Sequence, residues 1–164
     1  MSDFGLQQIL KRLSYNLARD SLVQQVTNQL KISLDVDRIL VYYFYRQWQG
    51  QVTFEVISSP QLSILGSTGP DECFNGDYAA MYQAGRVRAI ANIETENIAD
   101  CHRDFLRKLQ VRANLVVPVL VQQQLWGLLI AHHCQNPRSW STNDVQIMQT
   151  NAAILEQSGV LINQ

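Results

Sequence analysis

The run Asn114-Leu115-Val116-Val117-Pro118-Val119-Leu120-Val121, then Gln122-Gln123-Gln124, then Leu125-Trp126-Gly127-Leu128-Leu129-Ile130-Ala131-His132-His133-Cys134, decides the fold of this chain. Both arms are rich in β-branched and large apolar residues, which suit a pleated, buried surface. The glutamines between them read as the turn of an antiparallel hairpin. Strand period puts Trp126, Leu128, Ile130, His132 and Cys134 on one face and Gly127, Leu129, Ala131 and His133 on the other. Only one of the adjacent histidines can therefore face a pocket on a given side.

Upstream, residues 38–44 and 52–57 are again β-branched and aromatic and flank Gln47-Trp48-Gln49-Gly50, which predicts a first hairpin. Tyr42 and Phe44 alternate there with Tyr43 and Tyr45, so one pair faces any pocket and aromatic core is the default role. Residues 58–75 carry prolines, glycines and hydroxyl residues and read as a long loop. A helix over 77–84 should stop at Gly85, and a short strand over 87–93 follows. A further short helix opens at Cys101, with Phe105, Leu106 and Leu109 as its apolar side. Leu6, Ile9, Leu10, Leu13 and Leu17 form an amphipathic stripe that resumes at Val26 and Leu30. Residues 142–161 form another, with Val145, Met148, Ala152 and Leu155 on one side. Four or five strands with helices before, between and after make an α+β sheet domain.

The 164 residues, 46% of them hydrophobic, suffice for one domain with a full core. Thirteen basic against fourteen acidic residues leave a net charge of -1, without the positive footprint of a nucleic-acid binder. The three cysteines, lacking a secretory leader or regular spacing, fit a reducing, cytoplasmic setting. No apolar run reaches the roughly 20 residues of a membrane helix, so no membrane contact by this domain is expected.

Two cysteines stand in polar surroundings: Cys73 in Asp71-Glu72-Cys73-Phe74, and Cys101 in Cys101-His102-Arg103-Asp104-Phe105-Leu106. A thiol reacts as its thiolate, which a neighbouring imidazole or a helix start favours. Zinc is one reading of Cys73, Cys101, His102, His132, His133 and Cys134, but no Cys-x-x-Cys or His-x-x-x-His pair supports it. A cysteine-dependent enzyme is another, with His102 or His132 as base and Asp71 as orienter, though no oxyanion-hole signature accompanies them.

The order and spacing of the Asp71-to-Phe74 motif, Cys101-His102, and segments 111–119 and 125–133 resemble the cyanobacteriochromes, bilin-binding GAF photoreceptors, in the subgroup that uses two cysteines. The likeness runs from about residue 35 to about residue 151, and the last two segments also resemble more distant phytochrome relatives. It implies a GAF-type central antiparallel sheet with helices on both faces, residues 1–164 being a single photosensory module excised from a larger signalling protein. Cys101 would add to the ring A side chain of a linear tetrapyrrole, phycoviolobilin and/or phycocyanobilin, and His102 would lie against it and assist thiol deprotonation. Asp71 would accept hydrogen bonds from pyrrole N–H groups. Cys73 would add reversibly to the methine carbon between rings B and C. His132 occupies the position of the pocket histidine near ring D.

The resemblance further implies Z/E isomerisation of the C/D bridge, release of the second thioether, and a change from blue or violet to teal, green or orange absorption. Tyr82 matches a tyrosine associated with a propionate contact. Met81 departs from the family where arginine is often found, leaving Arg86, Arg88 or solvent as the alternative partner of the carboxylate. The implied partners are an output domain (histidine kinase, cyclic-di-GMP enzyme or chemotaxis-type transducer) and a second copy through the terminal helices. No substrate turnover is expected. The competing reading is a non-photosensory GAF domain sensing a small molecule or redox state, in which Cys73 and Cys101 oxidise or stay inert.

Overall fold

The two hairpins form as antiparallel pairs in a computed structural model that describes residues 3–47, 49–69 and 76–162. β1 (Arg38–Arg46) pairs with β2 (Gln49–Ile57), and β4 (Ala113–Val121) with β5 (Gln124–His133). The second turn is tighter than the three glutamines suggested, because Gln124 already pairs with Val121. Gln122 and Gln123 then take φ of 53° and 66°, the left-handed geometry that matches a two-residue turn to strand twist. β3 (Arg88–Ile90) is shorter than expected: the Asn92 side chain accepts the Glu94 amide and bends the chain off the sheet. Strand order is β2-β1-β5-β4-β3.

The N-terminal stripe is two helices, α1 (Asp3–Arg19) and α2 (Ser21–Leu34). The break comes at Asp20, whose side chain accepts the Val23 amide and caps α2. α3 (Gly76–Gln83) ends before Gly85, which has φ +98°, and α4 (Asp100–Lys108) begins one residue ahead of Cys101. α5 (Thr142–Ser158) starts in a reciprocal Ser141–Asp144 capping box and stops at Gly159 in left-handed geometry. Among the described residues no helix is long and apolar enough to cross a membrane.

The sheet carries helices on both faces. Leu13 and Leu17 of α1, Val23, Val26 and Leu30 of α2, and Met148, Ala152 and Leu155 of α5 pack on one face, against Ile39, Val41, Leu115, Val117, Leu129 and Ala131. Leu40, Tyr42, Val116, Leu128 and Ile130 line the other, beneath α3 and α4. Trp126 departs from simple alternation. Val119 pairs with Gly127 but Leu120 pairs with Leu125, so Trp126 sits in a β-bulge. The bulge sends Trp126 to the helix-packed face, 4.9 Å from the Tyr43 ring, and puts Leu125 on the pocket side. Cys134 lies beyond β5, half-buried, its amide donating to Asp37 and its thiol pKa pushed up by burial.

Candidate functional site

The open face of the sheet and α4 form a cleft of about 860 Å³, a volume that includes open solvent at its mouth. Alternation brings Leu40, Tyr42 and Phe44 into it from β1, and Val116, Leu128 and Ile130 from β4 and β5. Tyr42 and Phe44, not Tyr43 and Tyr45, are thus the pair that faces the pocket, with ring centroids 5.3 Å apart. α4 contributes His102, Phe105, Leu106 and Leu109, and α3 contributes Tyr82, only 1% exposed.

One transverse row of the sheet is polar. Register pairs Arg38 of β1 with His132 of β5, and His132 with Asn114 of β4. The Arg38 side chain is fully buried and spends its donors on three acceptors: Nε–H to His132 Nδ1 at 3.1 Å, and the two terminal nitrogens to the carbonyls of Leu62 and Leu109, each at 2.6 Å. It thereby ties the loop after β2 and the end of α4 to the sheet. Burial holds the His132 pKa well below its ordinary value, and the Arg38 charge acts in the same direction. Asn114 is 4% exposed, and its Oδ1 is buried without a hydrogen-bond partner.

His102 is buried in the first turns of α4, and its pKa falls to about 4, first through burial and then through the positive charges of Arg88, Arg103 and Arg86. It is neutral at physiological pH. Arg103 fixes the start of this helix by donating to the carbonyls of Ile93 and Glu96 and to Asp100. Arg107 pairs with Glu94 on the outer side. Cys101 lies exposed in the first turn, and its sulfur is disulfide-bonded. α3 is anchored to the β4–β5 turn through Gln83, which accepts the Leu125 amide and donates to the Gln123 carbonyl.

The structure therefore brings His102, His132 and Tyr82 to one cleft, with Cys101 on the helix that roofs it. Asp71, Cys73 and Phe74 lie outside the described residues. Arg86 and Arg88 are not among the lining residues; Arg86 approaches the Met81 sulfur, and Arg88 pairs with Glu96 at 3.8 Å. Sequence reasoning passed over Arg38 and Asn114. The available signal was a polar residue at a pocket-facing position of an otherwise apolar strand.

Residues 18–158 match the family model of the GAF domain. The chain belongs to the GAF domain family. This GAF domain is 48% identical to an uncharacterised protein of Picosynechococcus sp., over 94% of the chain and 95% of that protein. It is 34% identical to a putative methyl-accepting chemotaxis protein of Synechocystis sp., over 96% of the chain but 16% of the longer protein. Among solved structures it is similar to the blue-light absorbing form of the Thermosynechococcus elongatus PixJ GAF domain. That likeness has a TM-score of 0.75 and 30% identity, and covers 90% of this chain and 88% of the other. The phycocyanobilin-bound GAF domain of a cyanobacterial phytochrome superposes with a TM-score of 0.72 at 25% identity, covering 96% and 97% of the two chains.

Proposed function

We propose that this GAF domain is a photoreceptor module that holds a linear tetrapyrrole, anchored at Cys101, and switches reversibly between two absorbing states. The observation that carries the reading is the convergence of two buried, neutral imidazoles, His102 and His132, on an apolar cleft roofed by the helix that displays Cys101. Likeness to the PixJ GAF domain and to a phycocyanobilin-bound GAF domain supports it. The residues present fit such a ligand: broad apolar walls for a flat conjugated system, and a few polar groups to orient it.

When bound, the tetrapyrrole supplies visible absorption and a C/D methine bridge that isomerises in light. Cys101 stands in the first turn of α4, where the helix end favours a thiolate. Cys101, as the reduced thiol, would hold the ligand through an S–C bond formed by addition across a ligand C=C bond, the thiol proton going to the ligand. His102 is a poor base for that proton, since its pKa is about 4. It serves by packing its neutral ring against the ligand plane. His132 offers a hydrogen bond from the sheet, and Tyr82 closes the α3 side. Asp71 would accept from the pyrrole N–H groups, and Cys73 would be the second thiol, adding reversibly to the bridge between rings B and C to give a short-wavelength state. The pigment is phycocyanobilin, phycoviolobilin or both.

The output partner is a signalling domain of the chemotaxis or histidine kinase type, coupled through α1 and α5. Exposed Phe4, Ile9 and Tyr15 on α1 suit pairing with a second copy. The disulfide at Cys101 favours a second reading, a redox-sensing GAF domain without pigment.

Absorption spectra of the chain co-produced with phycocyanobilin, before and after blue and then green light, separate the two. A reversible band shift with pigment surviving acid denaturation supports the photoreceptor. Cys101→Ala should abolish covalent pigment, whereas Cys73→Ala should keep it and lose the short-wavelength state. A colourless protein with bilin demonstrably available overturns the reading in favour of the redox sensor.

A further inference from the structure

β3 is an edge strand of three residues, and the chain beyond β5 returns to cover its end. The Arg138 amide donates to the Ala91 carbonyl at 2.8 Å, and the Trp140 indole N–H donates to the Ile90 carbonyl at 3.0 Å. An edge strand leaves such acceptors open, and these two bonds close them. The Arg138 guanidinium lies over the Trp140 ring, 4.3 Å from its centroid, and reaches α2 and α5 on the face of the sheet opposite the cleft. Its Nε and one terminal nitrogen donate to the Leu34 carbonyl at the end of α2, at 3.1 and 2.8 Å. The other terminal nitrogen donates to the Ser139 carbonyl and to Asp144, each at 2.8 Å, and Asp144 belongs to the capping box that starts α5. One planar cation thus joins the negative end of one helix to the cap of another.

The same short strand is tied to α4. Arg103, in the turn that carries Cys101, donates to the carbonyls of Ile93 and Glu96 at 2.8 and 2.6 Å. Ile90 and Ile93, both 0% exposed, pack with Leu106 of α4. Close-packed side chains transmit displacement instead of absorbing it. From α4 the contacts run without a gap through Ile93 and Ile90 to Trp140 and Arg138, and from there to Leu34 and Asp144. Contiguous packing and hydrogen bonds of this kind can carry energetic coupling between distant sites.

We propose that Arg138 and Trp140 form a relay through which a displacement of α4 is felt at the end of α2 and the start of α5. A shift of the Ile90 carbonyl turns the indole bonded to it, and the guanidinium stacked on that indole turns with it. The rigid fork then cannot keep its bonds to Leu34 and Asp144 both in line. Lysine has neither the fork nor the stacking plane. The relay deepens the photoreceptor reading and rests on it only for what moves α4, a change of shape in a ligand held at Cys101.

Arg103→Gln in the ¹⁵N-labelled apoprotein perturbs the α4 end alone. It should shift the Trp140 indole N–H resonance and speed amide exchange at Val36 and Val145 about three- to tenfold, the worth of one hydrogen bond. If that variant does not fold, Leu106→Val supplies the displacement. Arg107→Gln, on the same helix but paired outward with Glu94, should leave both amides unchanged. Equal effects of the inward and outward variants would mean general loosening of α4 and overturn the relay. In an Arg138→Lys background the effect on Val145 should disappear, as a double-mutant cycle reads it. Trp140→Phe, which keeps a ring and loses the donor, serves if the lysine variant does not fold. An undiminished effect in either background overturns the relay. In the pigment-bearing chain, exchange at Val145 should differ between the two light states. A reversible band shift without that difference would sink the relay and leave the photoreceptor reading standing. A chain that takes up no bilin yet couples Arg103 to Val145 would do the reverse.

Discussion

The two faces of one sheet, built from the same strands, differ in what they are for. On the face packed by α1, α2 and α5, Ile39, Leu115, Val117, Leu129 and Ala131 are sealed among apolar neighbours. On the other face, one residue over along each strand, Leu40, Val116 and Ile130 share the surface with Arg38, Asn114 and His132. The first face supplies stability through burial, which is non-directional and scales with area. The second gives up part of that burial to keep an open cleft and oriented polar groups. Period-two alternation lets one strand serve both ends without compromise.

The largest expected contrast comes from truncating neighbours on opposite faces. Leu129→Ala should cost about 2–5 kcal/mol, because its surroundings are close-packed on all sides. Ile130→Ala should cost about 1–2 kcal/mol less, because part of its contact surface is the cleft rather than protein. Equal losses in urea denaturation would break the distinction between a sealed and an open face.

Next is the acid limb of stability, which belongs to the pocket side. The folded chain holds His102 near a pKa of about 4 against an ordinary 6.5, so between these values the unfolded state binds the additional proton. Stability is full above about pH 6.5 and falls as pH descends toward 4, by up to about 3 kcal/mol. Buried His132 acts with the same sign. His102→Gln should flatten this slope, measured from urea midpoints at about pH 7.5 and about pH 4.5. A slope unchanged by the substitution would assign the acid sensitivity elsewhere. The smallest effect concerns the helix that covers the sealed face. Ser141→Ala removes half of the α5 capping box and should cost about 1 kcal/mol with the cleft unchanged.

Much of this was legible in the chain. Both hairpins, the flanking helices and the pocket-side placement of Leu128, Ile130 and His132 follow from residue type and period. Trp126 was misplaced because a bulge depends on how two strands pair, and neither strand alone records it. The N-terminal stripe was read through Asp20, although Asp ahead of an apolar run is itself a helix-start signal. The glutamine turn carried no Gly or Asn to announce its left-handed geometry.

By itself, the sequence determined the sheet class, which residues alternate inward, and the pairing of Cys101 with His102 at a helix start, because these depend on local period and on neighbours along the chain. Only the tertiary structure decided that Arg38, His132 and Asn114 lie in one row, that His102 is neutral, and that Asn114 Oδ1 is left without a partner. Those properties come from burial and from strand register across distant segments, and neither exists until the sheet has closed.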